Sequence, residues 1–274
     1  MEPFQLRSEA VVPYFFLDSW EREFPHLIAG MSIRDGESIK DPDRTNYALH
    51  VGSRPERIIQ NRRRLAEELG VSFASWTCGE QVHGVNIREV TSMSRGKGSE
   101  SAQSAFSETD GLLTQERDVL LTSFYADCVP LLFYSADIEM IGVAHAGWRG
   151  TVGEISPRMI REFVKRGAEK KEIRIAIGPS IGSCCYEVDE HVVHSLKHVL
   201  PDPFKVVLDS PKNNKWQVDL KEANKRLLLK EGLKEGQILV TGWCTGCHPD
   251  LFHSHRRDCG KTGRMVAFIG MGKG

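Results

Sequence analysis

The sequence carries no excess of charge of one sign. Its 274 residues hold 36 Lys and Arg against 37 Asp and Glu, a formal net charge of −1. That excludes the broad cationic field by which proteins hold nucleic acids or acidic membranes, and leaves only local patches. Long apolar runs are missing too. No window nears the ~18 apolar residues of a membrane span, and the run at 11–17 is short and contains Pro13. The first twenty residues include Glu2, Arg7, Glu9 and Asp18, and have no basic stretch leading into an apolar one. The expectation is a cytoplasmic, reduced protein without an export signal. Its seven cysteines, an odd number, then read as ligands, reactive thiols or core filler rather than disulfides. There is no internal repeat. With 40% hydrophobic and 27% charged residues, the composition excludes disorder and fits one large domain or two small ones.

Short apolar runs of β type alternate with a few helical patterns. The strongest helix spans residues 54–69. Ser53 is its expected cap, Glu56 completes a capping box, Pro55 suits the first turn, and Ile58, Ile59, Leu65 and Leu69 make the apolar stripe. Further helices are expected at 154–166, 190–200 and 220–230, the last capped by Asp219. Strands are expected at 14–17, 27–31, 85–90, 119–124, 131–134, 140–144, 173–177, 238–241 and 265–269. Strands and helices mix without strict βαβ alternation, which predicts a single α+β domain with mixed β-sheets flanked by helices. Residues 92–107 (SMSRGKGSESAQSAFS) form the one low-complexity stretch and read as a mobile surface loop.

Three stretches gather reactive side chains at the edges of expected strands: 79–84 (GEQVHG), 125–130 (YADCVP) and 144–150 (AHAGWRG). Each carries one borderline or soft metal ligand, His83, Cys128 and His145. Two imidazoles and a thiolate suit Zn²⁺, and three protein ligands leave a fourth position open for water or substrate. The three are separated by 45 and 17 residues, so no local finger geometry supports them, and ordinary packing roles stay open.

Other stretches are more ambiguous. Residues 244–248 (CTGCH) match a haem c attachment pattern, but such attachment accompanies export. Cys244, Cys247, His253 and Cys259 are an alternative structural zinc set, loosely spaced. Residues 178–188 (GPSIGSCCYEV) read as a loop leaving a strand, with Cys184 and Cys185 as packed thiols and no base to activate Cys185. Arg256 and Arg257 can aim guanidinium forks at a phosphate or carboxylate, or form surface ion pairs.

Taken in order, QVHG (81–84), TDGLLT (109–114), ADCVPLLF (126–133), GVAHAGWRGTVGEI (142–155), AIGPSIGSCCYEV (176–188) and HSHRRDCGKTGRMVAFI (253–269) resemble the YfiH/YlmD family. Its members were long labelled multicopper polyphenol oxidases or laccases and are now regarded as purine nucleoside phosphorylases. The resemblance implies a zinc site at His83, Cys128 and His145 and a single α+β domain. It also implies phosphorolysis of adenosine, inosine, guanosine and methylthioadenosine, with adenosine deamination beside it. Purine nucleosides and phosphate are then the expected partners. His255 departs from the Tyr that many relatives carry in a Ser-Tyr-Arg-Arg run, and Cys259 from a Gly.

On this reading Asp127 is the acid/base candidate, and Arg149, Arg256 and Arg257 are the phosphate clamp. Asn46 and Gln81 are hydrogen-bonding partners for sugar or base, and Trp148 and Tyr186 can stack on the purine. Rival readings are a copper polyphenol oxidase, a Cys–His hydrolase built on Cys128 and His145, and a zinc that only holds the fold. The copper reading meets a shortage, since ten histidines supply one His-x-His pair and three of them (His191, His194, His198) share one helix face.

Overall fold

The computed structural model describes residues 2–200, 202, 206–207 and 214–272. The apolar runs assemble into two mixed six-stranded sheets. Numbered along the chain, the first sheet holds β1 (Phe4–Arg7), β2 (Tyr14–Leu17), β3 (Leu27–Ser32), β4 (Trp76–Cys78), β7 (Leu120–Tyr125) and β14 (Met265–Met271). The second holds β5 (Ile87–Glu89), β6 (Gly111–Thr114), β8 (Val129–Ser135), β9 (Met140–Ala146), β10 (Ile173–Ile177) and β13 (Ile238–Val240). Their spatial orders are β1-β2-β3-β14-β7-β4 and β13-β10-β8-β9-β6-β5. The pairs β4/β7, β5/β6 and β10/β13 are parallel, and the other ladders antiparallel. A separate ribbon joins β11 (Glu187–Asp189) to β12 (Lys215–Gln217).

The sheets lie face to face, and strand alternation sorts side chains between layers. Leu121 and Tyr125 of β7 point into the inter-sheet core with Leu132 and Tyr134 of β8 and Ile269 of β14. Their neighbours Leu120, Phe124 and Phe268 turn the other way, onto Leu65 and Ala66 of a helix. On the far face of the second sheet, Leu131, Phe133 and Ile175 pack on Ile160, Phe163 and Leu227. Strands β8 and β9, covered on both faces, are buried at every residue and read as continuous apolar runs.

The helices are α1 (Asp18–Glu23), α2 (Pro55–Glu68), α3 (Trp148–Val152), α4 (Ile155–Lys165), α5 (Glu190–Val199) and α6 (Leu220–Lys230). None is long and apolar enough to cross a membrane. Helix α6 begins as the sequence predicts, with Asp219 accepting from the Glu222 N–H. Helix α2 does not. Arg54 takes the cap position without a side-chain bond, while the Ser53 hydroxyl donates to buried Asp43 instead. Residues 92–107 lie at the surface, as expected, but are anchored at several points. Buried Arg62 of α2 donates to the Gly98 and Ser99 carbonyls at 2.7 Å, and the Gly96 N–H donates to Thr77 Oγ1. The segment is tied down because it supplies the acceptors that a buried guanidinium requires.

Candidate active site

Three chain crossings converge at one end of the sheet pair. The turn after β4 brings His83, the link from β7 to β8 brings Cys128, and the end of β9 brings His145. Their ligand atoms all lie within 4.8 Å of one another. His83 sits at φ +60° and Asp127, beside Cys128, at φ +88°, both in the left-handed region that a non-glycine residue seldom adopts. Gly147 makes room for the cluster: a Cβ there would stand 2.9 Å from Cys128 Sγ and 3.2 Å from His83 Cδ2.

Asp110, which the sequence left without a role, organises this arrangement. Its carboxylate accepts from the backbone N–H groups of Val82, His83 and Gly84 at 3.1, 3.0 and 2.8 Å, fixing the strained turn. The same carboxylate bonds His145 Nδ1 at 2.8 Å, which leaves Nε2 as the ring's ligand atom. Burial would raise the Asp110 pKa, but His145 and the backbone donors hold it below the usual carboxylate range. Burial likewise pushes the Cys128 thiol up, yet the His145 and His83 imidazoles pull it down to about 6. His145 moves the opposite way. Burial lowers it, and the Cys128 thiolate and Asp110 together raise it to about 9. The trio is therefore poised as a thiolate among imidazoles, a donor set that fits a single borderline ion such as Zn²⁺.

The trio opens into a cavity of about 360 Å³. Gln81, Asp127 and Arg256, all expected at the site, line it. Gln81 acts as a brace there: its amide donates to the Phe124 carbonyl and accepts from the Phe124 N–H at 2.9 and 2.8 Å. Asp127 accepts from Thr245 Oγ1 at 2.6 Å and from the Arg256 N–H at 2.7 Å, so it positions the Arg256 loop. The Arg256 guanidinium lies over the Tyr186 ring, 5.3 Å from its centroid, and donates to the Glu187 carbonyl.

Three other expected site residues lie elsewhere. Arg257 turns inward and spends its guanidinium on Asp258 and on the Thr245 and Phe252 carbonyls, so it is a structural tie and not a free clamp. Asn46 is fully buried, and its side-chain oxygen accepts from the Arg264 N–H; it supports the site from behind. Arg149 is exposed over the Trp148 ring and does not line the cavity. Trp148 meets His191 edge-on and packs on the helical core, away from the cavity.

In place of Arg149 and Arg257, the structure brings Arg264 to the wall, with His50, Phe124 and His255. Arg264 stands in the GKTGRM run, a visible but unassigned signal. His50 carries no sequence signal at all; burial and the nearby Arg264 and Arg62 lower it to about 4, so it stays neutral. A larger cavity of about 650 Å³ lies beside α2, but Arg44, Arg54, Arg57 and Arg64 line it without a cluster of metal donors.

Residues 28–272 match the family model described as multi-copper polyphenol oxidoreductase laccase. The chain is 43% identical over 249 residues to purine nucleoside phosphorylase YlmD of Geobacillus stearothermophilus, covering 90% of this chain and 91% of the relative. It is 40% identical over 247 residues to purine nucleoside phosphorylase YlmD of Bacillus subtilis, covering 89% and 88%. The crystal structure of YlmD from Geobacillus stearothermophilus superimposes with a TM-score of 0.93, at 40% identity and full coverage of both chains. That of Bacillus licheniformis hypothetical protein YfiH gives 0.92 at 37% identity, covering 99% of this chain and 100% of the other.

Proposed function

From a chain that belongs to the multi-copper polyphenol oxidoreductase laccase family, and whose curated relatives are named purine nucleoside phosphorylases, we propose a zinc-dependent purine nucleoside phosphorylase. The observation that carries this reading is the His83–Cys128–His145 cluster opening into a cavity walled by two arginines. The proposed substrates are adenosine, inosine, guanosine and methylthioadenosine, with adenosine deamination as a side activity of the same cavity.

His83, Cys128 and His145 would hold the ion, which would supply a Lewis acid beside the substrate. The chain's own residues do the remainder. Arg256 and Arg264 bind inorganic phosphate and lower its charge repulsion against the cavity. Tyr186, whose ring lies under the Arg256 guanidinium in the cavity wall, is the proposed aromatic contact for the purine. A phosphate oxygen attacks ribose C1′, the bond from C1′ to the purine nitrogen breaks, and its electron pair leaves with the base. The attacking dihydrogen phosphate gives up a proton as the ester forms, and that proton passes to the leaving base; Asp127, in the cavity wall, is the proposed relay as well as the brace for Arg256.

Two imidazoles and a thiolate also suit copper. Among the described residues, however, the one other group of three or more donor side chains is a set of four cysteines, so no histidine cluster awaits further coppers. A second reading has a specific observation behind it. Without metal, Cys128, His145 and Asp110 form a thiolate–imidazole–carboxylate series, the arrangement of a cysteine hydrolase. Incubating the zinc-loaded protein with adenosine, with and without phosphate, tests the main reading. It expects phosphate-dependent adenine, and inosine without phosphate if deamination occurs. Cys128→Ala should lose the ion of the His83–Cys128–His145 cluster, and turnover with it, while the fold persists. Full phosphorolysis by that variant, with the ion of this cluster gone, would overturn the zinc reading.

A further inference from the structure

Four cysteines that the cavity does not use meet on the far side of its walls. Cys184 and Cys185 come from the loop after β10, and Cys244 and Cys247 from the loop after β13. Their sulfurs all lie within 4.8 Å of one another. Cys184 is 3.5 Å from Cys244 and 3.4 Å from Cys247, and Cys185 is 3.5 Å from Cys247. We propose that Cys184, Cys185, Cys244 and Cys247 hold a second metal ion, a zinc bound by four thiolates, which clips together the two loops that hold Asp127 of the candidate active site.

The spacing carries this first. Four sulfurs at ~2.3 Å from a tetrahedral zinc stand ~3.8 Å apart, close to what is seen here. Disulfides would instead draw sulfurs to ~2.05 Å in exclusive pairs, whereas Cys184 and Cys247 each face two others. Two glycines permit the approach. A Cβ at Gly246 would stand 2.8 Å from both Cβ and Sγ of Cys185, and one at Gly182 would stand 3.3 Å from Cys184 Sγ. The Gly182 N–H donates to Cys244 Sγ at 3.1 Å, the kind of bond that stabilises a ligating thiolate.

Charge is compatible with this centre. Lys221 of α6 is 6% exposed and donates to the Trp243 carbonyl. A zinc with four thiolates carries a net charge of −2; burial lowers the Lys221 pKa, and Asp219, Cys244, Glu2 and Cys184 act against that. A buried ammonium is the counter-charge such a centre calls for.

The alternatives raised by the sequence fall away on geometry. His253 is buried on Thr262 and Thr45, Cys259 stands apart at φ +50°, and His248 meets the Trp243 ring. The clip also has a consequence for the cavity. Ile181 N–H donates to the Asp127 carbonyl and Thr245 Oγ1 to its carboxylate, so each clipped loop holds one end of Asp127. The inference does not depend on the phosphorylase reading.

The test is metal content and cobalt spectroscopy on the full chain. Cys128→Ala should retain one equivalent of zinc, and its cobalt form should show the intense sulfur-to-cobalt bands of a tetrathiolate. Cys244→Ser/Cys247→Ser should hold one equivalent less than the parent chain and lack those bands. A metal-free Cys128→Ala protein overturns the proposal, and so does a count below the expected thiols in the denatured, unreduced chain, which would signify disulfides. Because Cys128→Ala leaves the four-cysteine cluster whole, the result stands even if the double variant fails to fold.

Discussion

The buried carboxylate of Asp110 and the Nδ1 of His145 share a 2.8 Å hydrogen bond, while the same carboxylate grips the backbone of His83. One acidic side chain thus orients a ligand on β9 and a ligand in the turn after β4. Asp110→Asn should weaken zinc binding by ~10–100-fold, the usual consequence of losing such a support. Competition against a chelator of known affinity would measure it. Wild-type affinity in the variant would mean that packing alone holds the two imidazoles.

Arg264 and Arg257 should separate by kinetics. Arg264→Ala should raise the phosphate KM about tenfold or more, equivalent to ~1.4 kcal/mol of lost binding. Arg257→Ala should leave the phosphate KM unchanged and cost ~1–3 kcal/mol of stability, because the Thr245 and Phe252 carbonyls lose their donor. Phosphate titrations and denaturant melts of the two variants check both. A KM effect confined to Arg257→Ala would reverse the assignment.

Cys128 should be an unusually acidic thiol once metal is removed. Its alkylation by iodoacetamide should rise with pH around a midpoint of about 6, against ~8.5 for a free cysteine. Peptide-resolved mass spectrometry separates Cys128 from the other cysteines. Zinc should suppress the reaction. A midpoint near that of ordinary thiols would show that His145 and His83 do not stabilise the thiolate.

His253 makes stability depend on pH. Burial, followed by Arg34, depresses its pKa to about 3, and its ring is held between Thr262 and Thr45. Folded His253 stays neutral while the unfolded chain takes up a proton below its ordinary ~6.5. Its contribution is therefore intact above ~6.5 and declines as pH falls towards the folded value, by ~1.4 kcal/mol per pH unit. The stability gap between wild type and His253→Gln should be flat above that window and shrink below it. A gap that widens on acidification would reverse the sign.

Much of this was legible in the sequence, and the reason is local. His83, Cys128 and His145 each adjoin a stretch whose β character is plain, so strand ends presented them in the expected place. Helix α6 was readable because Asp219 caps it through a bond three residues long. What escaped depended on distant partners. Ser53 looks like a cap until Asp43, ten residues earlier, claims its hydroxyl. Arg257 looks like a free clamp until the Thr245 and Phe252 carbonyls are placed beside it. The loop at 92–107 has the composition of a tether, and only the burial of Arg62 reveals why it is pinned. Cys184 and Cys244 lie 60 residues apart, so their meeting is a property of the topology and not of spacing.

The position of β14 bears on how the chain acquires this structure. It follows all other strands in sequence, yet it pairs with β3 on one side and β7 on the other, in the middle of the first sheet. During synthesis both those edges stay open until residues 265–271 leave the ribosome. Unpaired apolar edges are templates for pairing with other chains. The nascent protein therefore passes through a long vulnerable stage, ended by a single late insertion that closes the sheet.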